Sequence, residues 1–464
     1  MAVGSITGPF IVLALSLLLA SLQPSVAASS TAWTEIAEIK ASDASSYSAF
    51  GFSVAADATT AIVGAYQSNK MGDDAGAAYI ISLKNDHWQQ TAELAGSGIA
   101  AQSAFGKAVD IDGDTVVVGA PHDTAVYVFV DVSGQWLQQA KIQAPGSAAG
   151  FGSSVAVSGD VLVIGAPQAN AGRVFIFHRS AGVWMLNTTL SPPSESAGYF
   201  GAAVAFDSYS VAVGAHDSFS PGTVSVFIPR SGSWAVQSVV HAPSGHANDF
   251  FGGAVAVDGE HMLVGASHHS GDHSLSGAAY AFTRTGTVWT LKQTLEPDTV
   301  AEGQMLGASV CLCEAGAWIG MPGYAENQGA AVVFKLKQGR WTRTAMATAT
   351  GGDVGDLFGF ALAVGADVAF VGSYGIDDEA GRVLVFGPPT APTAPGDGNN
   401  LPMSMLLLLG IAAFILVALV VVLLMIIAVG LALALIALTS LLPRGSSVHG
   451  DGEEALETLL STAV

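Results

Sequence analysis

The chain has 464 residues, half of them apolar and only 11% charged, so it has ample material for a buried core. It carries 37 acidic and 16 basic residues, a formal net charge of −21. This balance argues against nucleic acid and anionic membrane surfaces as binding partners. We therefore expect a folded protein whose partners are not polyanions.

The first residues have the pattern of a secretory signal. Phe10 to Leu22 is an uncharged apolar run that is too short to span a bilayer, and small residues follow it up to Ala28. The positive residue that usually precedes such a run is absent. We predict a signal peptide over residues 1–28, which would place the mature protein outside the cytoplasm.

A unit of about 50 residues occurs seven times after this segment. Each unit opens with a large apolar residue followed by glycine, and a second glycine follows at a constant offset, as Gly64 follows Phe50. The opening residues are Phe50, Phe105, Phe151, Phe200, Phe251, Leu306 and Phe358. Repeats of this length with short apolar runs are typical of a radial β array. We predict an all-β fold, a seven-bladed β-propeller with four strands per blade, over residues 29–387.

The seventh repeat is incomplete at its end. In the other repeats a tryptophan follows the small residue that opens the third strand at a fixed offset, as Trp88 follows Gly76. At the same offset from Gly381 the chain has Thr393. Trp33, however, precedes Phe50 by the same interval by which Trp88 precedes the next repeat. We therefore predict that the N-terminal strand completes the last blade and closes the ring.

The C-terminal part reads as a membrane anchor. A proline-rich stalk over 388–403 precedes an uncharged apolar stretch over 404–442, and a short cytoplasmic tail is predicted over 443–464. A helix of this length would measure about 57 Å, against a hydrocarbon core of about 30 Å. Either one tilted helix extends beyond the lipid or two shorter helices turn near Gly430. We favour a single transmembrane helix because no proline or polar pair marks a turn.

Two short motifs fit this arrangement. Asn187 begins the single N-glycosylation sequon, Asn-Thr-Thr, which suits an exported domain. The last residues of the tail, Thr462, Ala463 and Val464, have the pattern that PDZ domains bind by strand addition.

The repeats resemble the FG-GAP repeats of the integrin α-subunit propeller. The unit is intact as F-G-K-A-V-D-I-D-G-D-T-V-V-V-G-A-P from Phe105 and as F-G-S-S-V-A-V-S-G-D-V-L-V-I-G-A-P from Phe151. The resemblance extends from Trp33 to Phe386 and includes all seven units. It implies a propeller at the cell surface that binds extracellular ligands and, in integrins, a partner subunit.

The chain departs from the integrin pattern in its cation sites. Integrin-type calcium sites use a D-x-D-x-D-G loop, and the sequence has no such loop. Asp110, Asp112 and Asp114 come closest, yet they flank a tight turn and offer too few oxygens for a six- to eight-coordinate cation. We assign no cofactor, with Ca²⁺ as the open alternative. The chain resembles a free-standing FG-GAP membrane protein.

Loop lengths indicate where this propeller would bind a ligand. The connection from the second to the third strand varies in length, whereas both other hairpins of the blade are constant, and variable loops on a rigid scaffold are common recognition sites. Imidazoles and carboxylates in these loops suit a metal or pH-sensitive site, the alternative being exposed polar residues. The candidate ligand-binding residues are His122, Asp123, His216, Asp217, His246, Asp249, His268, His269, Asp272 and His273. Acidic residues of blades one and seven that could share a metal ion are Asp73, Asp74, Asp377 and Asp378.

The sequence contains no nucleophile elbow, phosphate-binding glycine loop, H-E-x-x-H motif or repeated acid pair, so we expect no enzyme. We predict a single-pass type I protein of the plasma membrane whose propeller binds an extracellular protein or glycan in adhesion. The alternatives are an extracellular hydrolase or lyase built on the propeller, and an accessory subunit of a membrane complex.

Overall fold

A computed structural model describes residues 33–389, apart from residues 44, 194–197, 217–218, 272, 297–300, 314–315, 367 and 376–379. The predicted signal peptide, transmembrane segment and tail lie outside the described residues, as does the predicted stalk after its first two residues. No helix within the described ranges is long and apolar enough to cross a membrane.

Twenty-eight strands form seven four-stranded antiparallel sheets, which confirms the predicted all-β seven-bladed propeller. Blade one contains β2 (Phe50–Ala56), β3 (Thr60–Ala65), β4 (Ala77–Lys84) and β5 (His87–Leu94). Blade two contains β6 (Ala108–Asp112), β7 (Thr115–Ala120), β8 (Ala125–Val132) and β9 (Gln135–Gln143). Blade three contains β10 (Ser154–Ser158), β11 (Val161–Ala166), β12 (Arg173–Ser180) and β13 (Val183–Leu190). Blade four contains β14 (Ala203–Phe206), β15 (Val211–Ala215), β16 (Thr223–Arg230) and β17 (Ser233–Val240). Blade five contains β18 (Phe251–Asp258), β19 (His261–Ala266), β20 (Ala278–Thr285) and β21 (Val288–Leu295). Blade six contains β22 (Val310–Cys313), β23 (Gly316–Met321), β24 (Ala330–Lys337) and β25 (Arg340–Ala347). One helical turn, α1 (Tyr324–Asn327), joins β23 to β24.

The seventh blade combines both ends of the propeller. Its inner strands are β26 (Ala361–Gly365), β27 (Val368–Ser373) and β28 (Arg382–Gly387), and its outer strand is β1 (Thr34–Ile39). β1 pairs antiparallel with β28, with Thr34 opposite Gly387 and Ile39 opposite Val383. The N-terminal strand therefore closes the ring, as the tryptophan spacing predicts.

Two further contacts hold this closure. Trp33 is buried against Trp318 of blade six, with ring centroids 4.7 Å apart in an edge-to-face arrangement. On β28 the buried Arg382 guanidinium donates to Glu38 Oε1 of β1 at 3.0 Å and to Asp356 Oδ2 at 2.9 Å. The last blade is thus tied to the first strand by one ion pair as well as by backbone hydrogen bonds.

The paired glycines of the repeat explain its constant spacing. Within blade two, the amide N–H of Gly106 donates to the carbonyl of Gly119 at 3.0 Å, so the offset is fixed by one hydrogen bond. Gly119 also packs on the next blade, where a Cβ would overlap the carbonyl oxygen of Gly152. The same approach of Gly372 to Gly51 joins blade seven to blade one. The motif therefore encodes contact between blades.

The hydrophobic core lies between neighbouring blades. The apolar residue of each opening pair is fully buried, and Phe105, for example, packs edge-to-face on Tyr127 at 5.2 Å. The cluster around this pair includes Ile62 and Ile80 of blade one and Val116 of blade two. Each blade is therefore stabilised mainly by burying its faces against its neighbours.

The two ends of the propeller differ in their loops. One end, here called the variable-loop face, carries the connections between the second and third strands and those between blades. The first of these runs from Ala120 to Ala125 in blade two but from Ala65 to Ala77 in blade one. The opposite end, the hairpin face, carries the connections between the first and second strands and between the third and fourth strands, such as the tight turn between Asp112 and Thr115.

Candidate functional site

Five large side chains of blades seven, one and two lie together on the variable-loop face, on one side of the propeller axis. We call this group the channel mouth: Phe52, Tyr66, Lys107, Phe360 and Tyr374. Phe52, Lys107 and Phe360 each follow the glycine that opens a blade, and Tyr66 and Tyr374 each follow a second strand. The ring centroid of Phe52 lies 4.4 Å from that of Tyr66 and 5.0 Å from that of Phe360. All five side chains are half-buried, so the cluster forms an accessible aromatic surface.

A single cation lies within this aromatic cluster. The Lys107 Nζ lies 4.0 Å from the centroid of Phe52 and 3.9 Å from that of Tyr66, in cation–π geometry. Among the described residues no carboxylate forms an ion pair with it. Burial lowers the pKa of Lys107 to about 8. The channel mouth thus offers a positive charge that an incoming anion could pair with.

Below the mouth, a cavity of about 290 Å³ begins the axial channel. Lys107, Ser153 and Phe360 line it, together with small residues at the equivalent positions of other blades, such as Ala202 and Ala308. Because these blades carry small side chains, the channel is wide enough on that side to receive a ligand group.

A second cavity of about 310 Å³ continues the channel toward the hairpin face and contains two titratable groups. Burial raises the pKa of Asp110 to about 7 and that of the free thiol Cys311 to about 12. Asp110 Oδ2 accepts a hydrogen bond from the amide of Val157 at 2.7 Å.

The other two aspartates of this series are also engaged by the protein. Asp112 Oδ2 accepts a hydrogen bond from the amide of Gly159 in the next blade at 2.6 Å. Asp114 Oδ1 accepts one from the Thr115 hydroxyl at 2.9 Å. The carboxylates of this hairpin therefore have structural partners, and those of Asp110 and Asp112 link blades two and three.

One pair of predicted site residues meets beside the channel mouth. Asp74 and His122 line a hollow of about 190 Å³ together with Tyr66 and Gln102. His122 Nδ1 lies 3.0 Å from the carbonyl oxygen of Gln102. Since Tyr66 belongs to both places, the hollow extends the mouth over blades one and two.

Asp123 follows His122 in the sequence but has a structural role. Its Oδ2 accepts a hydrogen bond from the Tyr127 hydroxyl at 2.9 Å and lies 2.8 Å from Lys141 Nζ. The carboxylate therefore holds the short loop of blade two to strands β8 and β9.

Two further predicted histidines form an aromatic row on the far side of the axis. The Phe250 ring lies between His216, at 4.7 Å between centroids, and His268, at 4.2 Å. His268 Nδ1 lies 3.0 Å from Ser267 Oγ, and burial lowers the pKa of the His268 imidazole. This row joins the loops of blades four and five.

Asp249 and His269, two further predicted site residues, form a close pair that stabilises the loop before blade five. Asp249 is buried, and its Oδ2 accepts hydrogen bonds from the His246 amide at 2.8 Å and from the His269 ring at 2.9 Å. Asp356 occupies the same position before blade seven, where it accepts from the Asp353 amide at 2.8 Å. The carboxylate at this position therefore acts as a loop cap.

Two of the predicted site residues lie exposed on the surface. His273 and Asp73 are exposed, and the main-chain oxygen of Asp73 accepts from Gln102. The described part of the chain contains no group of three or more His, Cys, Asp or Glu side chains placed to hold a metal ion. The residues that fall outside the described ranges are Asp217, Asp272, Asp377 and Asp378.

Comparison with known families agrees with this architecture. The family model described as the FG-GAP repeat matches residues 33–81, 88–129, 136–177 and 234–282. The chain carries FG-GAP repeats. Each match begins at or beside the outer strand of one blade and ends in the third strand of the next, so the FG-GAP unit is offset from the blade by one strand.

Solved structures support the fold of this FG-GAP propeller. Chains of solved structures match in large number, 770 in all. One belongs to a structure described as the crystal structure of a mitotic checkpoint complex, with 12% identity and a TM-score of 0.51 over 77% of this chain and 92% of that chain. At this identity the likeness concerns the fold alone. Among curated proteins no match is found.

None of the five channel-mouth residues of the FG-GAP propeller was predicted from the sequence as a site residue. Its signal is visible once the repeats are aligned on their opening pairs. The next position is Phe52, Lys107 or Phe360 in three blades and Ser, Ala or Gly in the other four. Large residues at a position that is otherwise small, and close to the axis, would have indicated a group inside the ring.

Proposed function

We propose that the chain is a single-pass type I membrane protein of the plasma membrane whose FG-GAP propeller binds an extracellular protein or glycan. The ligand would contact the variable-loop face around the channel mouth. The predicted signal peptide and apolar C-terminal stretch support the topology, and the loops of unequal length support the choice of face. The proposal fits a role in adhesion.

The observation that carries this proposal is the lysine within the channel mouth. An aromatic surface of this kind provides large contact area, and a few polar groups orient what it binds. Lys107 lacks a carboxylate partner among the described residues, and burial of its ammonium group lowers its pKa. A ligand that inserts a carboxylate here would pair with this charge.

The net charge of the whole chain further limits the class of ligand. With a net charge of −21, the protein repels polyanions such as sulfated glycans. A neutral or basic ligand that presents one carboxylate would meet less repulsion. We favour an acidic side chain on an extracellular protein, or a single acidic sugar at the end of a neutral glycan.

Binding of cells that express the full chain to a panel of matrix proteins and glycans tests the proposal. Lys107→Met keeps the aliphatic contact with Phe52 and Tyr66 but removes the charge, and we expect at least tenfold weaker binding, about 1.4 kcal/mol. Lys84→Met on the hairpin face is the matched control and should bind normally. Full binding by the Lys107 variant, or no ligand in the panel for the wild type, would count against the proposal.

One observation favours a second candidate, an extracellular hydrolase or lyase. Asp110 has a pKa near neutrality inside the channel, which suits a general acid or base. Turnover of a glycan or peptide library that Asp110→Asn abolishes would support catalysis. We rank it below binding because Asp110 Oδ2 already accepts the amide of Val157.

A further inference from the structure

Two pairs of neighbouring blades are linked on their outer strands by the same tryptophan contact. The Trp184 Nε1 of blade three donates to Gln139 Oε1 of blade two at 2.9 Å. The Trp289 Nε1 of blade five donates to Gln237 Oε1 of blade four, also at 2.9 Å. Each glutamine occupies the same position relative to the tryptophan of its own blade, Trp136 or Trp234.

The glutamines also share a backbone position. Gln139 lies between Gln138, which pairs with Phe129, and Ala140, which pairs with Val128, so Gln139 is the extra residue of a β-bulge. Gln237 is the extra residue of the corresponding bulge in β17. In blades two and four the bulge residue of the outer strand is therefore aimed at the tryptophan of the next blade.

In the described part of the chain this contact is missing between blades three and four, as it is between blades one and two and between blades five and six, where the bulge residues are Thr91 and Lys292. The bulge residue of β13 is Asn187, which lies between Leu186 and Thr188. Its side chain is one methylene shorter than glutamine, and it makes no hydrogen bond with Trp234 or any other described residue. Trp184 and Trp289 are buried, whereas Trp234 is half-buried.

A cleft takes the place of the contact. It has a volume of about 270 Å³ and is lined by Asn187, Phe206, Pro229 and Trp234, among others. The neighbouring outer strand carries exposed apolar side chains, with Met185 55% and Leu186 44% exposed. Exposed apolar area around a cleft is typical of a surface that is covered in the mature molecule.

We propose that the first sugar of an N-linked glycan on Asn187 fills this cleft and links blade three to blade four. The inference depends on export of the propeller, which is part of the proposed function. Asn187 is exposed and begins the sequon, so its Nδ2 is accessible to the transferring enzyme. The apolar face of the sugar would pack on the Trp234 ring, and a sugar oxygen would accept the indole N–H.

The modification itself is the transfer of an oligosaccharide from a lipid diphosphate carrier. A bond forms between the Asn187 Nδ2 and the anomeric carbon of an N-acetylglucosamine residue, and the bond from that carbon to the diphosphate breaks. The lipid diphosphate leaves with the electron pair, and one amide proton is released.

Four forms of the full chain, expressed in cells with a secretory pathway, test the inference. Thr189→Ala destroys the sequon but keeps Asn187, while Thr188→Ala shortens the adjacent threonine and keeps the sequon. Asn187→Gln removes the glycan and supplies the residue that blades two and four use. An endoglycosidase should shift the wild type and Thr188→Ala only.

Thermal unfolding then separates attachment from packing. Relative to Thr188→Ala, we expect Thr189→Ala to unfold about 2–4 °C lower, because the cleft is empty. Enzymatic removal of the glycan from the wild type should have the same effect. Asn187→Gln should unfold close to the wild type because the longer amide side chain can accept the Trp234 indole N–H.

Each contrary outcome identifies what is wrong. Equal stability of Thr189→Ala and Thr188→Ala, or no change when the glycan is removed from the wild type, would refute the packing of the sugar in the cleft. An unmodified wild type that is protease-protected inside vesicles would refute the modification but leave export intact. An unmodified wild type in the cytosol would refute export, and with it the proposed function.

Discussion

At the scale of single residues, the charge of Lys107 should control ligand binding. Burial lowers the pKa of this lysine to about 8, so in the free protein it loses its proton as the pH rises through that value. Binding of a carboxylate needs the protonated form. We expect affinity at pH 9 to be about tenfold lower than at pH 7.

Equilibrium binding measured at pH 7, 8 and 9 checks this expectation. Lys107→Arg supplies the control because arginine remains charged throughout that range. Its profile should be flat, whatever its absolute affinity. A pH dependence that persists unchanged in the arginine variant would assign the titration to another group.

Asp110 should affect stability with a definite sign. Its pKa is raised to about 7 in the folded protein from an ordinary value of 3.8, so stability is lost as the pH rises between those values. Asp110→Asn removes the cost of the buried charge and keeps an oxygen that can accept the Val157 amide. We expect the variant to have a higher unfolding temperature at pH 8 and no advantage at pH 3.5.

Unfolding temperatures of both proteins between pH 3.5 and pH 8 provide the measurement. An equal gain at every pH would show that packing, and not ionisation, distinguishes the variant. A loss at pH 8 would mean that the Asp110 carboxylate is needed by a group such as the Val157 amide.

The residue scale is also where the sequence was least informative. Loop position and residue type drew attention to Asp123 and Asp249, but Asp123 holds Tyr127 and Lys141 while Asp249 caps a loop. Spacing tells which face a residue occupies, yet the partner depends on chain segments far away in the sequence. The position of Lys107 could not be predicted in this way, because its aromatic neighbour Phe52 belongs to another repeat.

At the scale of strands, Arg382 of β28 should stabilise the closed ring, because it pairs with Glu38 of β1 and with the buried Asp356 before β26. Arg382→Ala leaves the buried carboxylate of Asp356 without its guanidinium partner. Removal of one member of a buried pair typically costs about 3–5 kcal/mol. We expect a loss of that size in the free energy of unfolding.

Denaturant titration measures this loss, and Lys40→Ala provides a matched comparison. Lys40 also pairs with Glu38, at 3.8 Å, but both side chains are largely exposed. The variant should lose less than about 1 kcal/mol. Equal losses in the two variants would show that the buried network is not what holds β1.

Strand order and closure were predictable because they follow from counting residues. Trp33 and Ile39 have the spacing of Trp88 and Leu94, so the N-terminal segment could be identified as an outer strand. The tight turn expected beside Asp112 is also present, because Asp112 pairs with Thr115 and Gly113 takes the first turn position.

At the scale of the whole molecule, seven similar units and one offset strand define the architecture. The repeat could be read from sequence because contacts between paired glycines recur in every blade. The cavities could not, because their size depends on which side chains seven separate repeats direct toward one axis. The Asn187 cleft likewise became visible only when equivalent bulges were compared in space.

The pairing of β1 with β28 has a consequence for biosynthesis. Glu38 and Arg382 are 344 residues apart in the chain. At a synthesis rate of about 5–20 residues per second, the strand that emerges first waits roughly 20 to 70 s for its partner. During that interval the edge of β1 is unpaired and open to pairing with another chain.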